Sequence, residues 1–491
     1  MLATTPEIWP IKAKQIILDK GINIEALMKS FTEIWFPWSD QYNSERTYFS
    51  LRIELRPLFI IKPHTIDEIE TILNYVTDKQ LTIRIMNGRH SSALVSSDVL
   101  VDMSFFTNKT LEIKNENEEI LIAGAGNTQG ALNEFLFSFL QREIYSHFGH
   151  FIHPRVDTEA FPGGSAASVG IAGISTVGGV GTLCRSFGLT VDHTLSYTIT
   201  VPPTNSLERA KTINASEKEN SDLFWALRGG GANNFGIISE ITFTVLDVPT
   251  IIVYTVKWSW KNAKKVLEEY QQSSINRPNN YNEDLSIYYN NGLKGIELAG
   301  LYIMLEGESF IQATKNIKKE LHSLVGELVI NEPIRYSDIY RQKVRDRVYF
   351  NFSIIQPIFS DNLKAEYSVD LINLADKRKL TGPVSITFTL LGGKISKVSR
   401  KATAYYPRHK QFFIDIATFW NTIQESASMD KWTQEAVELY LYDHSYLYLG
   451  FPLTFNLPQP PNIYYGKNTK LLKQIKKKYD PLNILTSTGT I

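Results

Sequence analysis

The chain has a single cysteine, Cys184, among 491 residues, which excludes an intramolecular disulfide and any metal or cluster site built from several thiolates. An excess of charge of either sign is also missing. With 51 Lys and Arg against 51 Asp and Glu, no global field draws in nucleic acid or an anionic membrane, and neither is expected as a partner. No stretch reads as the roughly 20 predominantly apolar residues of a membrane span. Pro6, Glu7, Pro10, Lys12 and Lys14 interrupt the first apolar residues, so neither a secretory nor a twin-arginine leader is expected. The expectation is a soluble, cytoplasmic protein in a reducing compartment. What is present is apolar bulk: 43% hydrophobic and 12% aromatic residues supply a large core, and the length corresponds to about three folding units.

The N-terminal part mixes helix and strand. Thr65 and Glu68 predict a capping box opening a helix in which Ile66, Ile69, Ile72, Leu73 and Val76 recur at helical spacing up to Asp78. Strands are predicted at 81–85, 99–103 and 118–123, and a helix from Thr128 to Leu140. Between them lie the polar turn Asn87-Gly88-Arg89-His90-Ser91-Ser92 and the short Gly124-Ala125-Gly126. From Ile251 the texture changes to period-two alternation. Tyr254, Val256 and Trp258 alternate with Thr255 and Lys257, and Val384, Ile386, Phe388 and Leu390 alternate with Ser385, Thr387 and Thr389, a pattern that predicts strands with one wet face. From Lys470 a helix returns with Leu472, Ile475 and Tyr479 inward, stopped by Asp480-Pro481.

Gly124-Ala125-Gly126 between strand and helix invites a dinucleotide-binding reading. The third glycine would fall on Gln129, however, and no strand-end acidic residue stands out about 20 positions on to hold a ribose. Residues 162–188 hold eight glycines, Gly163, Gly164, Gly170, Gly173, Gly178, Gly179, Gly181 and Gly188, with no Gly-Lys-Ser/Thr ending, so they form no nucleotide P-loop. Two uses remain open for this stretch: a tight turn region, or close backbone approach to a ligand whose pyrophosphate is cradled by glycine amides.

Five segments in order carry a resemblance: Pro57-Leu58-Phe59-Ile60-Ile61-Lys62-Pro63; Met86-Asn87-Gly88-Arg89-His90-Ser91; the run from Gly178 to Asp192; Asp222-Leu223-Phe224-Trp225-Ala226-Leu227-Arg228-Gly229-Gly230-Gly231; and Tyr464-Tyr465-Gly466-Lys467-Asn468 followed by the stretch from Lys476 to Asn483. Together they resemble the berberine-bridge-enzyme-like, FAD-linked oxidases of the vanillyl-alcohol-oxidase superfamily. The fold implied is α+β: a PCMH-type FAD-binding domain of two subdomains (1–248), an antiparallel-sheet substrate domain with helices on one face (249–454), and a C-terminal return to the FAD-binding domain (455–491). The resemblance implies FAD bound covalently through His90. Ala166 stands where many relatives carry a second attaching cysteine, so attachment would be through one bond only. Arg89 replaces the second glycine of the family's turn, where a positive φ would strain an arginine. Further cofactor contacts are implied at Asn87, Gly88, Ser91, Gly124, Val169, Gly170, Gly173, Gly179, Gly181, Gly236, Ile238, Tyr465 and Asn468, while Ile174 replaces a histidine near the flavin.

For the catalytic base, Tyr448-Leu449-Gly450-Phe451-Pro452 resembles the family's Tyr-Val-Asn-Tyr-Pro, which implies Tyr448, with Tyr406 beside it, as catalytic residues. A tyrosine serves as base where a cation or hydrogen bond lowers a pKa normally near 10. The activity implied is oxidation of a carbinol carbon, of a sugar or a secondary metabolite, with dioxygen as acceptor. Val169 stands at a position where relatives that react with oxygen carry valine. A dehydrogenase with a quinone or protein acceptor and a catalytically silent flavin-binding protein are the alternatives. His147, His150 and His153, at three-residue spacing, fit either a zinc site or an aromatic lid with Phe148 and Phe151; no acid or thiol completes a ligand set at typical spacing, and no metal is expected.

Overall fold

The computed structural model describes residues 8–91, 97–115, 118–139, 145–146, 149–150, 158–205, 207–345, 350–441, 444–455, 457–486 and 491. Three sheets organise them. The first has four strands, β1 (Glu33–Trp35), β2 (Phe59–Lys62), β3 (Ile83–Met86) and β4 (Val99–Asp102), in the order β1-β2-β4-β3, with β2 and β3 both parallel to β4. Helix α1 (Ile66–Asp78) buries Ile69, Ile72, Leu73 and Val76 against this sheet, while Ile66, the first of the spaced apolar residues, stays exposed. Only half of the predicted capping box forms. The Glu68 N–H donates to Thr65 Oγ1 at 3.2 Å, but the Glu68 carboxylate accepts from the His64 N–H at 2.7 Å and from Thr32 at 2.6 and 3.0 Å. The start of the helix is thereby tied to the chain ahead of β1.

The second sheet is built from β5 (Lys109–Asn115), β6 (Glu118–Gly124), β7 (Thr194–Val201), β8 (Lys211–Ser216) and β9 (Ile237–Thr244), in the order β8-β7-β9-β6-β5. Helices α2 (Gln129–Phe139), α3 (Ile171–Val177) and α4 (Ser221–Gly230) contribute Leu132, Ile171 and Leu223 to its core.

The third sheet holds eight strands: β10 (Ile251–Trp258), β11 (Tyr281–Asn290), β12 (Leu293–Ile303), β13 (Glu327–Ile330), β14 (Phe352–Ser360), β15 (Val384–Leu390), β16 (Phe412–Trp420) and β17 (Tyr446–Leu447), in the order β13-β10-β12-β11-β15-β16-β14-β17. Every pairing in it is antiparallel, so the alternation read from the sequence has a direct cause: successive side chains point to opposite faces. Helices α5 (Ala263–Ser273), α6 (Ala365–Lys377) and α7 (Ser426–Leu441) cover the apolar face, where Leu285, Ile386, Ile414 and Ile416 are fully buried. The opposite, polar face is not simply wet. Its groups bond laterally: Ser286 with Thr387 at 2.9 Å, and Thr389 to Asp284 at 2.5 Å.

Two arginines lock this sheet onto the rest of the molecule. Arg185, which follows the buried Cys184, donates to the carbonyls of Leu391, Tyr281, Pro278 and Arg277, and Arg408 pairs with Asp192. Among the described residues no helix is long and apolar enough to cross a membrane.

The tail returns to the first sheet. Helix α8 (Thr469–Tyr479) buries Leu472, Ile475 and Tyr479 as its spacing predicts, and buries Lys476 as well. Beyond it the Ile83 N–H donates to Ile484 O at 2.8 Å and the Thr486 N–H to Ile83 O at 2.9 Å, so the tail lies along the edge of β3. Asp480 organises this return: it pairs with Lys476 and accepts the N–H groups of Ile484 and Leu485 at 3.0 and 3.1 Å. Asp480→Ala would leave two buried N–H groups unpaired and a buried ammonium without its counter-ion, with only the Leu485 carbonyl at 3.3 Å still accepting from it. The expected cost is about 3–5 kcal/mol, read as a lowered Tm in a thermal melt. An unchanged Tm would mean that Asp480 does not hold the tail.

Candidate active site

At the end of β3 the chain turns through Asn87 to Ser91, and this turn is packed backbone against backbone. The Asn87 side chain donates to Ala125 O at 2.6 Å and to Asn127 O at 3.1 Å. A Cβ on Gly88 would lie 2.2 Å from Gly170 N, and one on Gly170 would lie 2.5 Å from Asn87 Nδ2. Neither position has room for a side chain, which settles one question about the glycine-rich stretch: part of it exists for chain-to-chain approach. Gly173 differs from both. A Cβ there would meet nothing within 4 Å, and Gly173 lines a cavity of about 930 Å³ into which any side chain would project. That volume is near the top of the range of about 300–1,000 Å³ for small-molecule and cofactor sites.

Three walls close the cavity. The first is the turn itself, with His90 Nε2 at 2.6 Å from Ser168 Oγ. The second is the segment from Gly164 to Val180, including Ala166, Val169 and Ile174, backed by Gly236 and Ile238 at the start of β9. The third comes from the large sheet and is mostly apolar: Ile355, Pro357, Phe413, Phe419, Tyr448 and Phe451. In that apolar wall sits Asp415. Its Oδ1 has no hydrogen-bond partner, and burial, reinforced by Asp284, pushes its carboxyl up to about 7. A carboxyl raised toward neutrality by burial on the wall of a large cavity has the properties of a general base. Sequence reading passed over Asp415, although one signal was there: it is the only charged residue in Phe412–Trp420, an otherwise apolar strand.

Of the cofactor contacts and catalytic residues that the resemblance implied, Asn87, Gly88, Arg89, His90, Ser91, Val169, Gly170, Gly173, Gly236, Ile238 and Tyr448 line the cavity. The others stand outside its wall. Tyr406, expected as a catalytic residue, packs its ring where a Cβ on Gly466 would be and meets Tyr446 edge-on at 5.3 Å. Gly124, Gly179 and Gly181 face Phe106 O, Thr190 and Gly163 O respectively, Tyr465 is buried, and Asn468 donates to Ala404 O at 3.1 Å; their geometry is that of close chain packing.

Tyr448 reaches the cavity without the activation a base requires. Its hydroxyl accepts the Gly179 N–H at 3.2 Å, yet burial pushes it up to about 12, away from neutrality. Cys184 is buried, its thiol also pushed up to about 12 by burial, and it does not line the cavity. His147 and His153 lie outside the described residues, as does the side chain of His150. Among the described residues no group of three or more His, Cys, Asp or Glu is arranged to hold a metal.

Residues 57–141 match the model of the FAD binding domain family, and residues 453–490 match that of the berberine and berberine like family. FAD-linked oxidoreductase YgaK of Bacillus subtilis (strain 168) is 22% identical over 448 residues, covering 90% of this chain and 93% of YgaK. A solved structure of chitooligosaccharide oxidase superposes with a TM-score of 0.77 at 19% identity, covering 95% of this chain and 98% of that one. Glucooligosaccharide oxidase from Acremonium strictum, whose structure is described as carrying a 6-S-cysteinyl, 8α-N1-histidyl FAD, superposes with a TM-score of 0.76 at 20% identity over 94% of this chain and 96% of that one. Fold, cavity and relatives together define an FAD-linked oxidoreductase. The chain carries the FAD-binding and the berberine-type domains, and it is similar to berberine-bridge-enzyme-like oxidases over nearly its whole length.

Proposed function

We propose that the protein oxidises the carbinol carbon of a largely apolar secondary-metabolite alcohol, with dioxygen as acceptor and hydrogen peroxide as product. The observation that carries this reading is the Asp415 carboxyl, its Oδ1 without a hydrogen-bond partner, in an apolar wall of the same cavity that His90 lines. When bound, FAD supplies the acceptor for the hydride that leaves the carbinol carbon. The chain's own residues do the rest. In this reading 1–248 and 455–491 hold the cofactor, with His90 as its single point of attachment because Ala166 offers no thiol, and 249–454 hold the substrate. The Asp415 carboxylate takes the hydroxyl proton as hydride departs.

Phe413, Phe419 and Phe451 bind the substrate body and exclude water. A sugar chain suits this wall poorly. Its many hydroxyls would lose water, and among the described residues of the sheet side only Asp415 and Ser353 offer polar side chains apart from the Tyr448 hydroxyl, which already takes the Gly179 N–H. The test is to mix anaerobic holoenzyme with matched aromatic alcohols and oligosaccharides and follow the flavin band, then admit air. Aromatic alcohols should bleach the band and air should restore it. Bleaching by oligosaccharides alone would overturn the substrate class, and no bleaching by any alcohol would overturn the reaction.

The oxygen arm has its own variant. Val169 lines the cavity, and one added methylene in a packed wall closes small spaces. Val169→Ile is expected to slow reoxidation by air and leave reduction by substrate unchanged. Wild-type enzyme that stays reduced in aerated buffer yet reoxidises at once with a quinone would establish a dehydrogenase instead.

A further inference from the structure

This inference rests on the reading of His90 as the attachment residue and adds two residues to it. An imidazole turns broadly about its terminal torsion, so a cavity histidine needs partners to hold its plane. His90 has one at its edge, Ser168 Oγ at 2.6 Å from Nε2, and one on its face: the Phe49 ring is stacked on it with centroids 5.2 Å apart and an interplanar angle of 9°. Phe49 is held in turn by Arg89. The Phe49 N–H donates to Arg89 O at 3.3 Å. The Arg89 guanidinium gathers the chain just ahead of Phe49, donating to the carbonyls of Ser44 at 3.1 Å and Thr47 at 3.4 Å and to the Glu45 carboxylate at 3.1 Å. It is anchored at 2.7 Å on Asp102, whose side chain is fully buried.

Arg89 sits at φ +58°, the left-handed conformation that favours glycine. The sequence reading anticipated strain there, and four charge-assisted contacts now account for an arginine holding the position. The far end of the same segment is fastened to the large sheet: Ser50 Oγ donates to Ser353 O at 3.1 Å and accepts its N–H at 3.0 Å, and Leu51 N–H donates to Asn351 O at 2.9 Å. Residues 47–49 therefore form a strap along the cavity, tied at both ends.

We propose that Arg89 and Phe49 are positioning residues for flavin attachment, the Arg89 clasp fixing the strap so that the Phe49 ring holds the His90 imidazole in one plane. Attachment forms a bond between an imidazole nitrogen and the flavin C8 methyl carbon and breaks one methyl C–H and one imidazole N–H bond. Two protons are released, the two electrons left behind reduce the flavin ring, and dioxygen, the acceptor of the proposed reaction, removes them. A fixed imidazole raises the effective concentration of the nucleophile at that carbon.

The experiment expresses each variant with FAD, measures total bound flavin by absorbance, and measures the acid-stable fraction after precipitation. At equal total flavin, Phe49→Leu should lower the acid-stable fraction by about fivefold or more, and Phe49→Tyr, which keeps the stacked ring, should restore it. Arg89→Gly should lower it too, although glycine relieves the backbone; if that variant fails to fold, Glu45→Ala removes one clasp contact and is read in its place. Wild-type attachment retained in full by Phe49→Leu and Arg89→Gly overturns the positioning role alone. Wild-type protein with no acid-stable flavin overturns the His90 reading and this one together.

Discussion

Asp415→Asn is expected to slow substrate-dependent reduction of the bound flavin by about 10²-fold or more, the scale of a lost general base. In the wild type the same rate should rise with pH through about 7, because burial and Asp284 raise the Asp415 carboxyl to that value and only its ionised form accepts a proton. The rise should vanish in the variant. Stability should move the other way. A folded-state value of about 7, above the ordinary 3.8, means that Asp415 favours the fold while it is protonated; that contribution is complete below about pH 4 and is lost as pH rises through about 7. Asparagine stays neutral, so Asp415→Asn should raise Tm at pH 8 and change it far less at pH 4. Stopped-flow reduction and thermal melts at both pH values check the two halves. Tyr448→Phe is the contrast: with its hydroxyl occupied by the Gly179 N–H and raised to about 12 by burial, it should cost far less than Asp415→Asn. If Tyr448→Phe is the slower enzyme, the base is the tyrosine and Asp415 is a buried acid without catalytic work.

His90→Ala should move all the flavin into the acid supernatant while a yellow complex still forms at neutral pH. The cavity's glycines and its turn remain in place without the imidazole, so binding and attachment separate cleanly. The stack on Phe49 and the contact with Ser168 are lost together, so the turn should also become more open to exchange. Peptide mapping of the wild type should find the flavin on a peptide containing His90. A flavinylated peptide without His90, or acid-stable flavin in His90→Ala, would move the attachment elsewhere.

Much of this molecule was legible before folding, for reasons of local physics. The spacing of Ile69, Ile72, Leu73 and Val76 and the cap at Thr65 predicted α1, and the alternation from Val384 to Leu390 predicted a strand with one covered face. The turn from Asn87 to Ser91 was recognisable because its glycine, histidine and flanking strand lie within one short stretch. Other features were not legible, because the deciding neighbour lies far along the chain. The Glu68 carboxylate turned to Thr32 and the His64 N–H instead of back to Thr65. Tyr406 carried no local mark that would separate packing against Gly466 from facing the cavity.

By itself, then, the sequence determined the α+β class, the order of helix and strand, the FAD-binding motif and the exclusion of a second attaching cysteine, since each depends on residues close together in the chain or on a count. Only the tertiary structure decided which groups share the cavity and in what charge state. Asp415 becomes basic near neutrality because strands distant in sequence bury it beside Asp284. Arg89 is tolerated at a positive φ because Glu45 and Asp102 converge on it. Desolvation and ion pairing depend on distance through space, and no pattern along the chain encodes that distance.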